Sequence, residues 1–342
     1  MRTTKATISI SAIDPIVEVR SHPDCLLHVP GLGHPERPER LTTVLGALEG
    51  VPDASWRVVP ESVLPPEQDT LGVLKWVHDE DYVDSVRKAS AAGSGWLDSP
   101  DCAVSEGTFT AAVAAAGLAL QAGLDMANGR LWRGFVACRP PSHHAERARA
   151  RGYCFFNSVA LAAEVLVRAW NRPVLIVDFD ALHGNGTQHH FWFRGDVAYL
   201  SVHRWPGFPG TGAADEVGED EGLGTTRNIP LAAGSDDEVV CAALEHGLAE
   251  IASIVQPAAV IVSAGFDGYF DDPVGELALT DSGFRRMTAA IVAAAERWSE
   301  GRILSFLEGG FTDEGLAAGA LAHVEELARK EKIGTSSAMA VN

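Results

Sequence analysis

VLIVDFDALHGNGTQ, residues 174–188, is the stretch whose reading decides the fold. Its first four residues, Val174, Leu175, Ile176 and Val177, are an unbroken apolar run. A run without alternation suits a strand buried on both faces of a sheet. Two acids follow, Asp178 and Asp180, then His183 and the run Gly184, Asn185, Gly186, which its glycines assign to a flexible segment. Open α/β sheets place their ligands outside the carboxyl ends of the strands. The apolar run supplies burial, and the acids stand at a rim where charge serves a ligand.

The pattern repeats on either side. Residues 258–263 (AAVIVS) lead to Asp267, and residues 303–307 (ILSFL) lead to Glu308, Gly309, Gly310 and Phe311. Residues 134–138 form a short apolar run that leads to Arg139, Pro140, Pro141, Ser142, His143 and His144. Two more strands are predicted at 197–203 and 226–230. Helices are predicted within 71–92 and at 108–127, 158–170, 236–255, 281–298 and 314–329, with Asp281 as an N-cap. Strands alternating with helices imply an α/β fold with a mostly parallel central sheet and helices on both faces. No composition break divides the chain, so residues 1–342 read as a single domain with a loose tail at 331–342. A short strand is expected near 7–10. Residues 34–41 (HPERPERL) read as a stiff extended loop that caps a helix. His78, followed by Asp79, Glu80 and Asp81, reads as a solvated helix end with no chemistry.

A chain of 342 residues with 46% hydrophobic composition has ample material for a large core. Lys+Arg 27 against Asp+Glu 46 gives a net charge of −19. Such a surface repels nucleic acid and anionic membranes and tolerates cationic ligands. Neither nucleic acid nor membrane is therefore expected as a partner. The cysteines, at 25, 102, 138, 154 and 241, are odd in number and show no C-x-x-C spacing. They read as free thiols of a reducing compartment. The first residues lack the apolar core of a secretory signal, and the apolar runs fall short of the roughly 20 residues of a membrane span. A cytoplasmic protein is the expectation.

The motifs also carry a resemblance. They are HPERP at 34–38, RPPSHHA at 139–145 with GYCFFN at 152–157, the Asp-x-Asp pair at 178–180 with His183, the acid Asp267, and Glu308-Gly309-Gly310. In this order, over residues 34–315, they resemble the histone deacetylase and acetylpolyamine amidohydrolase family. The resemblance implies the arginase-deacetylase type of fold. It also implies a zinc ion held by Asp, His and Asp, which polarises an amide carbonyl and activates a water. On the matching positions, Asp180 and Asp267 would hold the metal. His144 would act as general base and then acid, oriented by Asn185. His143 would be its electrostatic partner, held by Asp178. Tyr153 and Phe208 would wall the substrate channel. Carbonyls around Asp178, Asp180 and Ser201 would hold a structural potassium ion. A loop at 93–101 would border the channel or a subunit contact, which leaves a homo-oligomer open.

Two positions depart from the family pattern. Leu182 stands where the resemblance expects a histidine ligand, and an alkyl group has no lone pair to give. The adjacent His183 would point to the opposite face of an extended chain. Phe311 stands where it expects a tyrosine. Losing one oxyanion donor costs roughly 2.7–4 kcal/mol, a factor of about 100 to 1,000 in rate. The function expected is zinc-dependent hydrolysis of an acyl-amine or acyl-lysine-like amide, impaired in this chain. The alternatives are a metal-free protein that binds an acyl-amine and a zinc-independent reaction in the same pocket. An arginase-like pair of metals is disfavoured, because its additional Asp and His ligands are not visible.

Overall fold

The structure is a computed structural model and describes residues 17–51, 53 and 55–329. Its strands are β1 (Val17–Arg20), β2 (Trp56–Val59), β3 (Arg133–Val136), β4 (Val174–Asp178), β5 (Val197–Arg204), β6 (Thr226–Leu231), β7 (Val260–Ala264) and β8 (Ile303–Leu307). They form one sheet in the order β2-β1-β3-β8-β7-β4-β5-β6, and every neighbouring pair is parallel. Each residue of β4, β7 and β8 is buried, as apolar strands covered on both faces require. The helices are α1 (Glu39–Glu49), α2 (Glu67–Leu74), α3 (Glu80–Ala92), α4 (Thr108–Ala127), α5 (Ser158–Trp170), α6 (Asn185–Phe191), α7 (Asp237–Val255), α8 (Asp281–Trp298) and α9 (Asp313–Ala328). The expected α/β architecture is the observed one.

Several local expectations change. The chain 184–186 is not a flexible run: Gly184 sits at the N-cap and α6 begins at Asn185, which is buried. A Cβ on Gly186 would lie 2.6 Å from the carbonyl carbons of both His144 and Ala145, so glycine permits close packing here rather than mobility. The cap of α8 is Thr280, whose side chain accepts from the Ser282 N–H at 3.2 Å; Asp281 is the first helical residue. There its charge still opposes the exposed amide dipoles of the first turn. Strands β1 and β2 were not foreseen, because four residues with charges among them carry little periodic signal. The strand expected near 7–10 and the tail at 331–342 lie outside the described residues. Helix α4 is long and apolar enough to cross a membrane, contrary to the sequence expectation, but it is largely buried and packs on α5.

The HPERPER segment does more than cap α1. Glu36, Arg40 and Arg139 are wholly buried together. Arg139 donates to Glu36 at 2.6 and 2.7 Å, and Arg40 donates to it at 3.1 Å. Burial pushes the Glu36 carboxyl up, but Arg139, His28 and Arg40 together hold it down at about 2. The same two guanidinium groups bind main-chain carbonyls: Arg139 those of Cys25 and His28, and Arg40 those of Glu308 and Gly310. Three loops distant in sequence are thereby clamped beneath one rim of the sheet.

Candidate active site

Parallel strands put their carboxyl ends on one rim, and the order β3-β8-β7-β4-β5 makes their loops neighbours. The loop after β3 brings His143 and His144, that after β4 brings Asp180 and Leu182, that after β7 brings Asp267, and that after β8 brings Phe311. All of these line one cavity of about 240 Å³, together with Tyr153 and Phe208. Asp178 and Asn185 stand directly behind the histidines. The structure therefore brings together every site residue singled out in the sequence.

The two histidines have different surroundings. His143 Nδ1 lies 3.0 Å from Asp178 Oδ2, and its Nε2 lies 3.8 Å from Asp180 Oδ1. Burial pulls its pKa down, but Asp180, Asp178 and Glu308 overcome this and raise it to about 10. Asp178 is itself buried, which raises its pKa against the pull of His143, and it accepts from the Tyr199 hydroxyl at 3.0 Å. His144 contacts His143 ring to ring at 4.0 Å, and its Nδ1 meets Asn185 Oδ1 at 2.9 Å. Burial, reinforced by the charge on His143, holds His144 well below the usual histidine range. The surroundings thus favour the charged form of His143 and the neutral form of His144. A charged and a neutral imidazole side by side divide electrostatic and proton-accepting work between them. The Phe208 ring stands edge-on to His144 at 5.1 Å.

The carboxylates converge beside them. Asp180 Oδ2 accepts from the Gly309 N–H at 2.8 Å, and Asp267 Oδ1 accepts from the Ala181 N–H at 2.9 Å. Both acids border the same space: a Cβ on Gly309 would lie 2.6 Å from Asp180 Oδ2 and 3.0 Å from Asp267 Oδ2. A side chain there would crowd both carboxylates. Asp267 Oδ2 is buried and has no hydrogen-bond partner. Burial, then Asp180 and Asp272, push the Asp267 carboxyl well above the usual range.

This much suits a cation, but the third donor is missing. Leu182 forms the cavity wall beside the two acids, and His183 turns away to Thr211 Oγ1 at 2.8 Å and Gln188 Oε1 at 3.1 Å. Among the described residues, no group of three or more His, Cys, Asp or Glu side chains is placed to hold a metal ion. Catalytic zinc takes three protein ligands and favours nitrogen and sulfur. Two carboxylates and an alkyl group do not fit it.

The histone deacetylase domain family matches residues 34–327, nearly the whole described chain. The chain belongs to that family. It is 36% identical over 296 residues to a probable deacetylase of Archaeoglobus fulgidus, covering 86% of this chain and 81% of the relative. A histone deacetylase-like amidohydrolase of Pseudomonas aeruginosa is 33% identical over 297 residues, covering 86% of this chain and 77% of that one. The human polyamine deacetylase HDAC10 is 36% identical over 311 residues, 85% of this chain but only 44% of that protein. A crystal structure of an HDA15 HD domain superposes with a TM-score of 0.84 at 35% identity, covering 92% of this chain and 90% of that one. The histone deacetylase fold expected from the motifs is therefore the fold of this chain.

In this member of the family the Phe311 ring packs against Arg40 and Tyr153. Its backbone N–H donates to Asp272 Oδ2 at 2.7 Å, Arg40 stacks on its ring at 5.0 Å, and Tyr153 meets it edge-on at 5.7 Å. Sequence reasoning missed several supports of the site. Glu308, wholly buried, accepts from Ser142 N at 2.6 Å, Ser142 Oγ at 2.5 Å and His143 N at 3.2 Å, holding the histidine loop in place. Burial raises its carboxyl to about 7. His78 is not a solvated helix end: it is wholly buried, with Nδ1 3.0 Å from Glu146 O and Nε2 accepting from Asn157 N at 2.9 Å. Glu308 was visible in the sequence at the end of a buried strand and in the Glu308-Gly309-Gly310 motif, but neither signal gave it a role.

Proposed function

We propose that this chain is an acyl-amine-binding member of the deacetylase family in which metal-dependent amide hydrolysis is impaired. The observation that carries this reading is the cavity wall: Leu182 stands beside Asp180 and Asp267, where a nitrogen ligand would complete a zinc site. The substrate class is a small acylated amine or an acyl-lysine-like arm. Relatives named deacetylase, amidohydrolase and polyamine deacetylase support that class. So does the acid balance of the chain, −19 overall, which favours a cationic amine over an anionic partner.

Within the pocket, Phe208 and Tyr153 would pack on the apolar acyl arm, and His144 would present its free nitrogen to the bound amide. Charged His143 would face the amide carbonyl from the other side of the pair. Phe311 offers no hydroxyl to that oxygen. As the family resemblance implies, main-chain carbonyls around Asp178, Asp180 and Ser201 would hold a structural potassium ion.

The test is the pair of substitutions Leu182→His and Phe311→Tyr, made together and assayed for bound zinc and for amide hydrolysis of an acetylated amine. Gain of both supports the reading. Gain of neither means that the two positions are misassigned, and full turnover by the unsubstituted chain would sink the claim of impairment.

A further inference from the structure

The Asn185 amide has two ends of similar size and opposite chemistry, an oxygen that accepts and an NH2 that donates. Whichever end faces His144 dictates which of the two imidazole nitrogens carries the hydrogen. Here Oδ1 lies 2.9 Å from His144 Nδ1. The Nδ2 end lies 2.7 Å from Glu146 Oε1, with a longer contact of 3.4 Å to His144 O. A carboxylate accepts hydrogen bonds and donates none, so Glu146 admits only the NH2 end of Asn185.

Glu146 is itself held from both sides. Its N–H donates to Arg149 O at 3.0 Å, and its carbonyl accepts from His78 Nδ1 at 3.0 Å. Since Asn157 N donates to His78 Nε2, that ring must carry its hydrogen on Nδ1. The hydrogen-bond directions are therefore fixed from Asn157 through His78 to the backbone carbonyl of Glu146. On the other side they run from His144 Nδ1 to Asn185 Oδ1 and from Asn185 Nδ2 to the Glu146 carboxylate, so both chains of donors end on Glu146.

We propose that Glu146 is a positioning residue that fixes the Asn185 amide and thereby keeps the hydrogen of neutral His144 on Nδ1, leaving the Nε2 lone pair for the cavity. Its use in a reaction rests on the proposed function, because it assumes that His144 faces the substrate amide. The tautomer itself does not.

The experiment is long-range 1H–15N correlation on the full-length chain labelled at histidine. The parent is expected to show His144 with Nδ1 in the protonated range and Nε2 in the lone-pair range. Glu146→Met keeps the side-chain length and removes the acceptor; both His144 nitrogens are expected to shift toward averaged values as the other tautomer becomes populated. Glu146→Gln, whose carbonyl still accepts from Asn185 Nδ2, is expected to restore the parent pattern. A general loss of packing would not be rescued in this way. If Glu146→Met does not fold, Glu146→Ala gives the same readout. An unchanged His144 pattern in a folded Met or Ala variant overturns the proposal, as does a parent with its hydrogen on Nε2. Failure of the Leu182→His/Phe311→Tyr pair to hydrolyse amides, with the tautomer still locked, would count against the proposed function alone.

Discussion

Asp267→Asn should stabilise this chain in a chelator, although it alters a wholly buried side chain. In the parent, Asp267 Oδ2 has no partner and shares its space with Asp180 Oδ2. Two unit charges at hydrogen-bonding range, about 4 Å, repel by about 4 kcal/mol at an effective dielectric near 20. The parent escapes this by keeping a proton, which is why burial and the neighbouring acids raise the Asp267 carboxyl. The sign follows from linkage. The folded state holds that proton at pH values where the unfolded state has already released it, so stability falls as pH rises above about 4. The slope is at most about 1.36 kcal/mol per pH unit and ends at the folded pKa. Asparagine keeps the Ala181 N–H bond through its oxygen. Its NH2 faces the Asp180 carboxylate at no proton cost. We expect a gain of about 1–3 kcal/mol at pH 7, vanishing below pH 4, read as the difference between parent and variant in urea unfolding with EDTA. A pH-independent difference, or a less stable variant at pH 7, would refute the argument.

Three further outcomes follow from the same geometry. Glu36→Ala leaves Arg40 and Arg139 buried without their shared anion and should cost about 3–5 kcal/mol in denaturant unfolding. In the parent, the stability contributed by Glu36 is present above its unfolded pKa near 4.5 and should disappear as pH falls toward 2, visible as a steep acid limb absent from Glu36→Ala. Gly309→Ala places a methyl 2.6 Å from Asp180 Oδ2 and should cost about 1–3 kcal/mol by overpacking; in the Leu182→His/Phe311→Tyr background it should also weaken zinc binding measured by titration.

The legible parts of the molecule were those written locally. Strands β4, β7 and β8 are pure apolar runs followed by acids, and both the sheet and its functional rim follow from them. The His143–His144 pair was assigned through its motif, and its site through the parallel topology. The residues missed are polar ones whose burial depends on distant partners. Glu36 meets Arg139 across 103 positions, and His78 meets Asn157 across 79, so neither looks buried from its own neighbourhood. The run 184–186 was misjudged because glycine marks close backbone approach as readily as a turn. Strand β1 reads VEVR, too short and too charged to announce a place between two parallel neighbours.

The central claim is the proposal that Leu182 withholds the third zinc ligand from a site where Asp180 and Asp267 remain. Zinc titration of the parent and of Leu182→His, side by side at one pH, tests it most directly. The expected result is about one tightly held zinc per chain in Leu182→His and far weaker binding in the parent. Equal, tight binding by both would contradict it.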